Sequence, residues 1–279
     1  MIQPLLSDDA FLADVTAARA DLAPDRLALW WLGQSGFLLS HAGKCLLFDP
    51  YLSDSLTAKY ADTDKPHVRL STRVVDPAWL DFVQVVTSSH NHTDHLDAET
   101  LRPILAAAPA AKFVLAAANV DFAAQRLGRD ARSRFVPLAD GERATLAPFT
   151  VEAVPAAHEE QSPLFAGFVV TVGPFRIYHS GDTVLYPGMA ERLRPFAVDL
   201  ALLPINGRAP ERHVAGNLDG LEAARLAHAI AARCVVPCHY EMFEFNTASP
   251  VTFAGECARL GQACIVPRAG ERVTLRARA

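Results

Sequence analysis

The chain has 279 residues, 51% of them hydrophobic, which supplies a sizeable core and excludes global disorder. A net charge of −5 leaves no basic footprint and argues against a nucleic-acid partner, although a few Arg side chains and a metal could still hold a small anion. Acidic residues stand in MIQPLLSDDAFLADV where a secretory leader would carry positive charge, and polar residues break every apolar stretch below membrane-span length. The expectation is a cytoplasmic protein without a membrane partner, acting on a small molecule as a monomer or homo-oligomer. Five cysteines, an odd number, read as small core residues of a reducing compartment. Cys234 and Cys238 lack the second pair that a zinc knuckle requires.

An amphipathic helix is expected over 8–20, within an N-terminal helical extension, residues 1–25. Strands follow at 26–32, 35–41 and 44–49, separated by Gly33 and Gly43 as in a meander. The polar, Pro-containing stretch 51–79 reads as a long loop and a candidate pocket lid. Strand 82–88, helix 97–107 capped by Asp97, strand 112–116 and helix 118–127 come next. Strands near 133–136, 143–146, 150–156, 166–172 and 175–179 restore the β character. The end alternates: helix 188–194, strand 199–203, helix 218–231, strand 233–237, helix 249–260, then strands 263–267 and 272–276. A run of strands followed by strand–helix alternation thus occurs twice, as two packed sheets with outer helices would require. No repeat, low-complexity block or linker divides the chain, so residues 1–279 read as a single domain.

The chemistry concentrates in SSHNHTDHLD, residues 88–97, directly after the apolar FVQVV. Alternate side chains of an extended chain point the same way, so His90, His92 and Asp94 converge as the strand runs out, and His95 follows at the turn. Imidazoles interleaved with a carboxylate suit zinc, manganese or iron(II), whereas packing needs no such cluster. Three further residues share the end of an apolar strand: His158 after VEAVPAA, Asp182 in YHSGDT, and His239 after CVVPC. Singly, each fits a structural role equally well. Their common placement makes them candidate ligands, because the loop-bearing edge of a sheet holds such groups rigidly.

The pattern resembles the metallo-β-lactamase superfamily: HxHxDH over residues 90–95, then His158, the Asp182 of SGDT, and His239. The resemblance implies a four-layer αββα sandwich of the α/β class with two metal sites at its edge. His90, His92 and His158 would hold one divalent ion, Asp94, His95 and His239 the other, with Asp182 bridging. WWLGQSGFLL, FDPYLSDS, SGDT, PINGR and PCHYEMF are similar to the L-ascorbate-6-phosphate lactonase branch, while 56–79 and 209–217 do not match that pattern. One or two ions, Zn2+ or Mn2+, are therefore expected. The implied activity is hydrolysis of a lactone or ester of a small, anionic, sugar-derived substrate by metal-activated water, with Asp94 orienting that water and shuttling its proton. A phosphodiesterase and a non-catalytic metal-binding protein of the same fold are the competing readings.

Several residues carry subsidiary expectations. Asp49, in FDPY, would lie beneath the ligand loop and fix an imidazole tautomer, or else form an Asp-Pro turn. Gln34, His179, Asn206 and Arg208 are candidate substrate groups, Arg208 because its planar fork fits a phosphate or carboxylate. His41, His67, His213 and His228 read as structural or surface residues.

Overall fold

Turn residues set up the first sheet. Ala42 and Gly43 both take positive φ, 46° and 78°, the two-residue hairpin geometry whose twist matches the flanking strands. They join β2 (Gly36–His41) to β3 (Lys44–Phe48), and Gly33 ends β1 (Arg26–Gly33) just before β2. The computed structural model describes residues 1–158, 160–212 and 215–278. Parallel strands β4 (Val85–Ser88), β5 (Lys112–Ala116) and β6 (Phe135–Leu138) extend the meander, with α3 (Ala98–Ala107) and α4 (Val120–Leu127) as crossovers. The last strand, β13 (Arg272–Arg276), returns beside β1, giving the order β13-β1-β2-β3-β4-β5-β6.

The second sheet repeats the plan. Antiparallel β7 (Arg143–Leu146), β8 (Phe149–His158), β9 (Glu160–Val172) and β10 (Phe175–His179) are followed by parallel β11 (Leu200–Pro204) and β12 (Cys234–Cys238). Short helix α5 (Met189–Leu193) lies between β10 and β11, and α6 (Gly220–Ala229) crosses between β11 and β12, lies on both, and carries α7 (Pro250–Leu260) against it. Gly220 permits the approach, since a Cβ there would stand 3.0 Å from the Phe253 backbone nitrogen. On the first sheet, α1 (Asp8–Ala20) buries Phe11 edge-on against Trp30 at 6.2 Å, and Asp14 accepts from the Trp30 indole at 2.9 Å. The result is the αββα sandwich expected, with one apolar core between the sheets.

Burial follows sequence pattern strand by strand. The largely apolar runs GFLLSH, LALLP and CVVPC form β2, β11 and β12, buried at every position, whereas the edge strand β13 alternates. A side chain covered as fully as Leu202 contributes about 2 kcal/mol by apolar burial.

Two expectations need correction. The 51–79 loop contains a short helix, α2 (Ser55–Lys59), and a 3-10 turn at Pro77–Trp79 capped by the Asp76 carboxylate. Residues 263–267 form only one bridge, Val235 with Cys264, because Pro267 has no N–H to continue a ladder. Strand 82–88 begins only at Val85, and strand 150–156 runs on to His158. Among the described residues no helix is long and apolar enough to cross a membrane.

Candidate metal centre

Strand ends deliver the chemical side chains to one edge of the sandwich. β3 leads to Asp49, β4 runs out into residues 89–97, β8 ends on His158, β10 leads to Asp182 and β12 to His239. Open α/β sheets place groups for binding at the carboxyl ends of their strands in this way. The Asp182 turn depends on Gly181, whose φ is +59° and where a Cβ would meet the Ser89 Cβ at 2.5 Å.

The seven candidate ligands fall into two clusters: His90, His92 and His158 in one, and Asp94, His95, Asp182 and His239 in the other. Within each cluster the donor atoms lie within 4.8 Å of one another. Asp182 joins the two, its Oδ2 standing 3.2 Å from His239 Nε2 and 3.8 Å from His158 Nε2, and its Oδ1 3.2 Å from His95 Nε2. The donor set fits divalent cations. His90 Nε2 is buried without a hydrogen bond, and His95 Nε2 and Asp182 Oδ1 face only each other without a well-aligned bond, a costly state that a cation would relieve. Each of three imidazoles engages a neighbour through Nδ1, leaving Nε2 for the site: His95 with Asp49 at 2.8 Å, His158 with the Gly216 carbonyl at 2.8 Å and His90 with Ser89 Oγ at 3.0 Å.

A family model described as beta-lactamase superfamily domain matches residues 45–240, a span that contains every one of these residues. The chain belongs to the metallo-β-lactamase superfamily. It is 29% identical over 258 residues to a UPF0173 metal-dependent hydrolase of Opitutus terrae, covering 88% of this chain and 99% of that relative. In structure it resembles Igni18, a metallo hydrolase from Ignicoccus hospitalis, with TM-score 0.67, 23% identity and coverage of 91% and 100% of the two chains. It also resembles an isothiocyanate hydrolase from Delia radicum gut bacteria, with TM-score 0.72, 17% identity and coverage of 90% and 100%. At these identities the structural likenesses establish the fold.

In this superfamily member the floor of the site is held from below. Asp49 accepts from Thr87 Oγ1 at 2.6 Å and from the Ser89 backbone at 3.0 Å, besides the bond to His95, so its carboxylate is fixed in place. Gln34 lines the cavity, and its Nε2 donates to Asp94 Oδ2 at 2.8 Å. The Gln34 carbonyl accepts from the His239 backbone and from the Trp31 indole, both at 2.9 Å, tying the β1–β2 turn to the end of β12. Gln34, Asp49 and His239 all take positive φ, at 48°, 36° and 61°. Non-glycine residues in that region store about 1–3 kcal/mol each, a cost that collects at functional sites.

Charge separates the two clusters. Burial holds the His90 pKa well below the ordinary imidazole value and lowers that of His92, so these two imidazoles are held neutral. Burial opposes ionisation of Asp182 too, but His239 and His95 outweigh it and keep the carboxyl well below its usual range. Asp94 is lowered likewise, burial being outweighed by His95 and His239. In turn burial disfavours charge on His239, yet Asp182 and Asp94 raise its pKa to about 9; His95 is raised in the same way. Without a cation, then, the carboxylates are balanced by protons on these two imidazoles.

Three substrate candidates lie elsewhere. Arg208 turns from the cavity to Glu222, pairing with both carboxylate oxygens, one of them at 2.8 Å; Glu222 is the capping-box glutamate of α6. His179 is structural: Nε2 donates to the Ser35 carbonyl at 2.9 Å, Nδ1 accepts from Gly181, and the ring stacks on Phe48 at 5.1 Å. Asn206 sits behind the cavity wall, bonded to Asn217 and Asn246, which do line it. His213 lies outside the described residues.

Sequence reasoning missed the walls. His67, read as structural or surface, lines the cavity within a ring cluster, stacked on Tyr60 at 4.3 Å and meeting Phe245 at 4.5 Å. Phe165 packs against His90 and His158, each at 5.6 Å. Arg126 donates to the Asn91 and Leu96 carbonyls at 3.3 and 3.1 Å, clamping the ligand loop to α4. The five cysteines are free.

Proposed function

We propose that this chain, a metal-dependent hydrolase of the metallo-β-lactamase superfamily, opens a lactone or ester of a small, anionic, sugar-derived molecule. The observation carrying this reading is the pair of adjoining ligand clusters at the bottom of a cavity of about 560 Å³, whose wall also bears Lys59, Lys65 and Arg126. His90, His92 and His158 would hold one ion and Asp94, His95 and His239 a second, with Asp182 between them; zinc or manganese suits this nitrogen-and-carboxylate set. Bound there, divalent cations would supply a lowered pKa for coordinated water and polarisation of the scissile carbonyl.

The protein's own contribution centres on Asp94. It is the least enclosed of the carboxylates at the site, its Oδ2 lying 3.4 Å from His239 Nε2 and 3.6 Å from His95 Nε2. Gln34 pins that same oxygen. Held so, Asp94 orients the attacking water, takes its proton and returns it to the departing alkoxide. The Lys59 ammonium, 4.9 Å from the Tyr60 ring centroid, offers an anionic substrate a partner at the wall.

Purified protein loaded with manganese or zinc, assayed on a lactone panel and on bis-p-nitrophenyl phosphate, tests the reading. Lactone turnover abolished by Asp94→Ala supports it. Turnover of the phosphodiester alone selects the phosphodiesterase, because a two-ion cradle also serves displacement at phosphorus. No turnover of either compound by fully loaded protein would leave the non-catalytic reading.

A further inference from the structure

Behind the metal floor a chain of side-chain amides ends at the cavity. Arg212 Nη1 donates to Asn246 Oδ1 at 2.8 Å, and Asn206 Nδ2 donates to the same oxygen at 2.9 Å. Asn217 Nδ2 then donates to Asn206 Oδ1 at 3.0 Å. A guanidinium has only donors, so it forces Asn246 to present its oxygen. Asn206 must answer with nitrogen, which turns its own oxygen to Asn217, and Asn217 in turn must answer with nitrogen. The orientation of all three amides is thereby dictated by Arg212, whose Nη2 also anchors the Asn206 carbonyl at 2.8 Å. The terminal atom, Asn217 Oδ1, is buried and has no partner, although Asn217 lines the same cavity as Asp182 and His158. Its backbone is already committed: the N–H donates to the Gly207 carbonyl at 3.1 Å, and its carbonyl accepts from Arg208 at 3.2 Å.

We infer that Asn217 Oδ1 is a substrate-reading acceptor, built to take a hydrogen bond from a hydroxyl of the molecule whose carbonyl is hydrolysed. The choice of a hydroxyl rests on the sugar-derived reading above; the requirement for a donor rests on the amide chain alone. Gln34 Oε1, also buried and unpartnered on the cavity wall, offers a second acceptor of the same kind. A buried acceptor left empty by a deoxy ligand costs far more than one shared with water, so such a site rejects analogues that lack the hydroxyl. Arg212 acts as a positioning residue, since without it the three amides can rotate and offer Nδ2 instead.

Calorimetric titration of the manganese-loaded protein with D-gluconate and with hexanoate, six-carbon carboxylates with and without hydroxyls, tests this without turnover. Gluconate is expected to bind about ten- to a hundred-fold more tightly. Asn217→Leu should erase that preference by weakening gluconate and sparing hexanoate. Arg212→Met should do the same while leaving Asn217 in place, which guards against a misfolded Asn217 variant. Equal affinity for the two carboxylates, as a merely hydrated wall would give, or a preference untouched by both substitutions, overturns the assignment. Turnover of D-glucono-1,5-lactone and δ-valerolactone separates the two readings. A retained gluconate preference with no lactone hydrolysis sinks the lactonase and keeps the subsite. Equal hydrolysis of both lactones, unaffected by Asn217→Leu, sinks the subsite and keeps the lactonase.

Discussion

The floor and the walls of the cavity are made of different material. Floor residues stand at strand ends, and His95 and His158 are each held through a second ring atom, by the Asp49 carboxylate and the Gly216 carbonyl. Wall residues belong to connecting segments: Lys59, Tyr60 and His67 to the stretch after β3, Asn217 to the approach to α6, Phe243, Phe245 and Asn246 to the stretch after β12. The floor holds positions to which several elements of both sheets contribute. The walls hold one another, through the rings around His67 and the amides behind Asn217. What a rigid sheet edge fixes is reaction type; what loops fix is the choice of molecule.

Substitutions can break this division. The largest effect is expected of Asp182→Ala, which removes the one group shared by both clusters: turnover should fall by about a thousand-fold or more, with ion content reduced on metal analysis. Asp49→Asn comes next. It withdraws the carboxylate behind His95 and should weaken ion affinity about ten- to a hundred-fold, read by competition with a chromogenic chelator. An unchanged affinity would mean that the floor does not need its support.

Proton linkage is the third test. His239, raised to about 9, is protonated at neutral pH in the cation-free protein, and a ligating imidazole must be neutral. Ion uptake at pH 7 should therefore release protons, and affinity should rise with pH from neutral towards about 9 as His239 gives up its proton. Calorimetry in buffers of different ionisation enthalpy measures the release; its absence removes His239 from the ligand set. At the wall, His67→Ala should raise KM several-fold while ion content stays at the wild-type value. The smallest effect belongs to Arg208→Met, which loses a half-exposed pair with Glu222: turnover should stay within about twofold, and stability should drop by about 1 kcal/mol or less.

The floor was legible in the sequence because its information is local. HxHxDH needs only the alternation of an extended chain, and His158, Asp182 and His239 each follow a segment with strand character. The meander of the first three strands was legible too, from the glycines between them. The walls were not, because His67 meets Phe245 from 178 positions away, a proximity that no periodicity announces. Arg208 was misassigned although a signal existed: Asp219 followed three residues later by Glu222 is a capping-box signature, which places a carboxylate at the first turn of α6 within reach of Arg208. Notably, Lys65, His67 and Asn217 all fall in 56–79 and 209–217, the stretches without a counterpart in the lactonase pattern.

Each ligand cluster draws from both sheets, His158 facing two histidines of the first sheet, and Asp182 and His239 facing Asp94 and His95. An ion seated in either one is consequently a rivet between the layers, closing loops of dozens of residues much as a covalent staple would. Stripping it with a chelator should loosen the mouth of the sandwich before its apolar interior. Thermal unfolding should then follow free-ion concentration rather than remain a fixed property of the polypeptide.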